Sequence, residues 1–257
     1  MSSNSEKARS EGATFGSVAL GSLIIFAIGG WFGNWSNNER GIWWAWKPDT
    51  TLWAGLADVW YIFAWAFITS AFIATVLVWK RVPRVGSAWA HFGGGMYTSV
   101  RAGVLEELIF RWLLVLSAPT ALTIINWITL GLVKWVHTHW LLPLANWATL
   151  GILEPQLSDA NNWVMAAAIL YAAGAFRNGH AYLGFFGFIN SWFIGMVMFY
   201  LVFNHGIITA IVAHFVYDAI IFGIMALSVA FRPRNILAEA LAQALTKLLF
   251  GGRGSRD

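Results

Sequence analysis

Apolar residues run through this chain in long blocks instead of alternating with polar ones, and the blocks set its elements. Met1 to Gly12 is polar and reads as a disordered tail over residues 1–13. A first block covers about Thr14 to Phe32 and a second about Leu52 to Trp79, so residues 14–99 read as two membrane helices with their loops. Later blocks lie at about 102–117, Thr120–Val136, Trp140–Leu150, Trp163–Phe176, Tyr182–Phe203 and Ile207–Phe231. Stretches of about 20 apolar residues predict helices that cross a bilayer. The first block has no small-residue cleavage site and is expected to stay as an anchor.

Charge placement orients these helices. Lys80, Arg81, Pro83 and Arg84 stop the second span and mark a cytoplasmic loop, and Lys7 and Arg9 put the N-terminus on the same side. Six apolar blocks after that loop return the basic C-terminus to the cytoplasm, giving about eight spans. Trp140–Leu150 is short for a span, so it is tilted, re-entrant or extended by its neighbours. Residues 232–257 form a basic tail in which Asn235 to Phe250 is an amphipathic helix suited to the membrane surface. The expectation is an all-α, polytopic protein of a cell (inner or plasma) membrane, with both termini cytoplasmic.

Composition supports this. Hydrophobic residues make up 58% of the chain and charged residues 11%, against about 25% charge in a soluble domain. Mean hydropathy is +0.63. The absence of cysteine excludes disulfides, a cysteine nucleophile and a thiolate metal site. Seventeen tryptophans, clustered as Trp31/Trp35, Trp43/Trp44/Trp46/Trp53 and Trp135/Trp140/Trp147, suit bilayer interfaces. The net charge of +4 is spread over short loops, which argues for membrane lipids and against nucleic acid as a partner.

One apolar stretch carries three ionisable residues: Glu106, Glu107 and Arg111 between Ala102 and Ser117. Each charge at bilayer depth costs about 2.5–3.5 kcal/mol, roughly 8–10 kcal/mol for three unpaired ones, so the stretch marks a functional site. Glu107 and Arg111 stand four apart, acid first, the favourable order for a helical ion pair. Glu106 is rotated about 100° away, which leaves it available as a base. Two more pairs follow at the same spacing, each on one helix face: Phe176 with His180, and His214 with Asp218.

Glu106-Glu107-xxx-Arg111, Phe176-xxx-His180 and His214-xxx-Asp218, in that order on hydrophobic helices, resemble the signature of the CAAX-processing and bacteriocin-processing (CPBP) intramembrane proteases. The likeness covers about Val100 to Phe222, and its last part includes Asn204-His-Gly as the lead-in to His214. It implies a catalytic core over residues 100–231 around an intramembrane polar cavity. Within it, a membrane-associated peptide or protein substrate would be hydrolysed. By the same resemblance Glu106 activates water, His180 positions it or shuttles a proton, and His214 and Asp218 polarise the carbonyl or its oxyanion. Glu107, Arg111 and Phe176 support them. The family implies no cofactor. Residue chemistry alone leaves zinc open, with Glu106, His180 and His214 as its ligands.

Asp218 stands where many members have asparagine, and an ionised aspartate cannot donate to an oxyanion. It must be protonated, pair with His214 or orient a histidine. Arg177, inside the Phe–His pair, suits a substrate carboxylate or a membrane edge. His137 and His139 are expected at the interface, His91 and His205 in surface loops, and Gly93-Gly94-Gly95 as a hinge. Intramembrane Glu, His and Asp also suit a proton- or ion-coupled transporter, although no internal repeat accompanies them. A non-catalytic scaffold on a protease-like fold is the other alternative.

Overall fold

The computed structural model describes residues 20–21, 24, 44–46, 50–158 and 163–250. The 1–13 tail, nearly all of the first apolar block, Trp31, Trp35 and Trp43 and the last seven residues fall outside these. Among the described residues every regular element is helical. Four helices are long and apolar enough to cross a membrane: Trp60–Trp79, Ala88–Ile128, Ala181–His205 and Ile207–Phe231.

In chain order the helices are α1 (Leu52–Asp58), α2 (Trp60–Trp79), α3 (Ala88–Ile128), α4 (132–148), α5 (Glu154–Leu157), α6 (Trp163–Gly179), α7 (Gly184–His205), α8 (Ile207–Phe231) and α9 (Ile236–Phe250). Their boundaries differ from the expected blocks in three places. The block Leu52–Trp79 is two helices. Thr51 caps α1 by accepting from the Ala54 amide, and Val59, at φ −109° and ψ 21°, leaves helical geometry before α2 begins. The blocks at 120–136 and 140–150 are redivided. α3 ends at Ile128, Gly131 takes φ +90°, and the Asn126 side chain accepts from the Lys134 amide to start α4. Gly93-Gly94-Gly95 lie inside α3 and not in a loop.

The chain divides into two compact units. The first comprises Met1–Val59 and Arg101–His214. Its core joins Phe110, Leu114 and Val115 of α3 to Ile169, Ala172, Ala173 and Phe176 of α6 and to Met196 and Phe199 of α7. Ala166, Ala167 and Ala168 are buried as well; small side chains let membrane helices approach closely without a water-driven force. Gly206, at φ +83°, makes the turn between α7 and α8 in a backbone region that favours glycine.

The second unit comprises Trp60–Val100 and Phe215–Asp257. Its α2 is apolar on all sides and leaves Phe67, Ile68 and Phe72 more than half exposed, the pattern of a helix facing lipid. Arg84 ties two of its loops together. The Arg84 amide donates to Pro233 O at 2.9 Å and its carbonyl accepts from the Asn235 amide at 3.2 Å. The helix expected over 235–250 is present as α9.

Candidate functional site

The site is built where α3 changes its winding. From Glu107 to Leu113 the helix is π-helical, and the Leu114 amide reaches back five residues to Ile109 O. Such widened turns are rare and recur at functional sites. Here the turn carries Glu107 and Arg111, with Glu106 just ahead of it.

Glu107 and Arg111 form the expected ion pair, with Oε2 3.3 Å from Nε and both side chains fully buried. The other carboxylate oxygen, Oε1, lies 2.7 Å from Nδ1 of His214 on α8. One buried carboxylate therefore serves a guanidinium and an imidazole. The Arg111 guanidinium also lies 4.1 Å from the centroid of the Phe176 ring and 5.4 Å from that of Phe199. Its Nη2 donates to Gly195 O at 3.4 Å. Cation–π contact and a charged partner together offset the cost of sinking this charge. The Phe176 ring packs edge-on to Phe110 and 4.5 Å from the His180 ring, so it is a wall between the ion pair and the second imidazole.

Glu106 faces the same imidazoles from the other side. Its Oε2 is 3.8 Å from Nε2 of His180 and 3.8 Å from Nε2 of His214. Glu106 on α3, His180 in the turn just past α6 and His214 on α8, far apart in sequence, thus meet. Glu106 and His180 keep 15% and 17% of their side-chain surface exposed, whereas Glu107 and Arg111 keep none. Glu106 Oε2, the oxygen between the two imidazoles, is itself buried with no hydrogen-bond partner among the described residues, and the ion pair is sealed.

Hydrogen bonding fixes which nitrogen of His180 holds a proton. Nδ1 of His180 is 2.8 Å from Phe176 O, and a carbonyl only accepts, so Nδ1–H donates. Nδ1 of His214 lies within hydrogen-bond distance of Glu107 Oε1, and the Nε2 atoms of both imidazoles face Glu106 Oε2. A carboxylate oxygen and two ring nitrogens converge, a geometry that suits a bound water.

Asp218 follows His214 by one turn of α8, half-buried, in the second unit. Nδ1 of His214 is engaged by Glu107. Glu106, His180 and His214 are the donors a divalent ion would use. Among the described residues, no three or more His, Asp or Glu side chains form an ion-holding group.

Arg177 lies over Phe188, 4.3 Å from the ring centroid, and bonds the side chain of Asn178. His205 is not in a surface loop. It ends α7, is buried, and bonds Thr50 through Nδ1 and Asp58 through Nε2 at 2.9 Å. Tyr200 donates to the same Asp58 oxygen. Asp58 was the available signal: an acid inside an apolar block, the same signal that marked Glu106. His137 is buried against Trp163 and does not sit at an exposed interface. His139 is exposed and bonds Trp135 O, and His91 is exposed on α3.

No protein-family model matches the chain, and neither a curated protein nor a solved structure matches it.

Proposed function

We propose that the chain is a polytopic intramembrane endopeptidase resembling the CPBP proteases, with about eight spans around a polar cavity and both termini cytoplasmic. The observation that carries this reading is the position of Glu106 Oε2, 3.8 Å from each of two imidazole nitrogens. Glu106 takes a proton from a water that His180 orients, and the water oxygen adds to the scissile carbonyl carbon. The proton passes to Nε2 of His214. The imidazolium is stabilised by Glu107 on its far side, as a buried carboxylate stabilises the histidine of a hydrolytic triad. His214 then donates to the oxyanion and delivers the proton to the departing amine as the C–N bond breaks. Asp218, protonated or pairing with a histidine, assists that step. The products are a carboxylic acid and an amine, which exchange a proton to leave a carboxylate and an ammonium, and no cofactor enters the balance.

The test is cleavage of a quenched peptide library by wild type and His180→Ala in liposomes, with and without a strong chelator. Activity that falls in the variant and survives chelation supports the metal-free reading. Chelator-sensitive activity makes Glu106, His180 and His214 metal ligands.

One observation also favours a second reading. A carboxylate equidistant from two imidazoles suits a proton relay in an ion-coupled transporter. Movement of protons into the same liposomes without any cleavage would select it.

A further inference from the structure

Two basic loops of the second unit, 150 residues apart in sequence, are stitched into one edge. Besides its two backbone hydrogen bonds, Arg84 donates from Nη1 to Val229 O at 3.2 Å and Ala230 O at 3.4 Å, capping the last turn of α8. This pairing brings Lys80, Arg81 and Arg84 beside Arg232 and Arg234. Among the described residues one carboxylate opposes these five cations, Glu239, and it pairs with Arg234.

We propose that this edge is a docking site for the headgroups of anionic phospholipids. Its charge exceeds what the fold consumes. α2 and α8 both end here, and each helix C-terminus offsets about half a charge. With Glu239 subtracted as well, roughly three positive charges remain. Lys80 and Arg81 are exposed and have no acidic partner among the described residues. Arg84 Nε and Arg232 Nε are buried and donate to no acceptor among the described residues, so guanidinium donors exceed the acceptors the protein supplies. Arg232 spends one of its other nitrogens on Ser228 Oγ at 2.7 Å.

The apolar surroundings select a lipid over a soluble anion. Trp79 and Trp89, each 82% exposed, and Phe231 flank the cations, and tryptophan rings at helix ends sit at headgroup depth. α9 starts within a few residues of α8 and exposes Leu237, Leu241 and Leu245 along one side. A cationic edge, aromatic anchors and an apolar helix stripe together fit an anionic leaflet.

The experiment measures the association of spin-labelled phosphatidylglycerol and phosphatidylcholine with the full chain in bilayers containing both, at low salt. The wild type is expected to prefer phosphatidylglycerol severalfold, each surface cation contributing up to roughly fivefold. Lys80→Ala/Arg81→Ala and Arg234→Gln should each reduce that preference, while Arg234→Lys and Lys134→Ala should retain it. Should the double variant fail to fold, Lys80→Gln, at an exposed position, replaces it. An unchanged preference in folded Lys80 variants overturns the proposal. So does loss of the preference to inorganic phosphate but not to chloride at equal ionic strength, which would make the edge a soluble-anion site.

Discussion

Glu107 holds His214: its Oε1 lies 2.7 Å from Nδ1, and its second oxygen lies 3.3 Å from Arg111 Nε. The contact spans 107 residues of sequence and anchors the imidazole that faces Glu106. Replacing Glu107 by glutamine removes the carboxylate paired with the buried Arg111. Removing one partner of a buried pair costs about 3–5 kcal/mol. Glu107→Gln should therefore lower the thermal unfolding temperature sharply. The double variant Glu107→Gln/Arg111→Met should lose less than the sum of the single changes, and a double-mutant cycle in detergent reads that difference.

Gly195 leaves room for the Phe176–Arg111 stack. A Cβ there would sit 3.2 Å from Phe176 Cδ1 and 3.5 Å from Arg111 Nη2. Gly195→Ala is expected to cost about 1–3 kcal/mol by overpacking and to slow cleavage by displacing the Phe176 wall. Gly93→Ala is the control. Its Cβ meets nothing within 4 Å, and alanine in a helix interior is favoured by about 1 kcal/mol over glycine. Opposite shifts in unfolding temperature are expected.

The Asp58–His205–Thr50 cluster ties α1 to the end of α7. A Cβ on Gly55 would fall 2.5 Å from Thr209 Cγ2 of α8 and 2.9 Å from His205 Cγ of α7, so the glycine of α1 packs directly on these side chains. His205→Ala removes two hydrogen bonds, each worth about 0.5–1.5 kcal/mol, so about 1–3 kcal/mol of stability should be lost. Turnover per folded molecule should stay at the wild-type level, since His205 takes no part in the proposed chemistry. Unfolding scans paired with active-fraction kinetics separate the two effects.

What could be read along the chain was what lies one helical turn apart. Glu107–Arg111 and Phe176–His180 follow from i,i+4 geometry alone, and both contacts are present. The partner of His214 was not legible that way. Its sequence neighbour at four residues is Asp218, but its Nδ1 meets Glu107, on another helix. The π-helical turn was equally hidden, because nothing in Glu-Leu-Ile-Phe-Arg departs from an α-helical pattern. Hydropathy located α8 to the residue, Ile207–Phe231. It ran α1 and α2 together, since the break at Val59 falls between two apolar halves. His205 was misplaced for the opposite reason: the polar Asn204-His205 pair reads as a loop until Asp58 and Thr50 fold against it.

The central claim is that Glu106 activates the attacking water. Its most direct measurement is the cleavage rate of Glu106→Gln beside wild type, in the same liposomes, with folding verified by unfolding temperature. Glutamine keeps the shape of the side chain and removes its basicity, so the account predicts a loss of at least about a hundredfold, the usual scale of a general base. Cleavage by folded Glu106→Gln at the wild-type rate would contradict it.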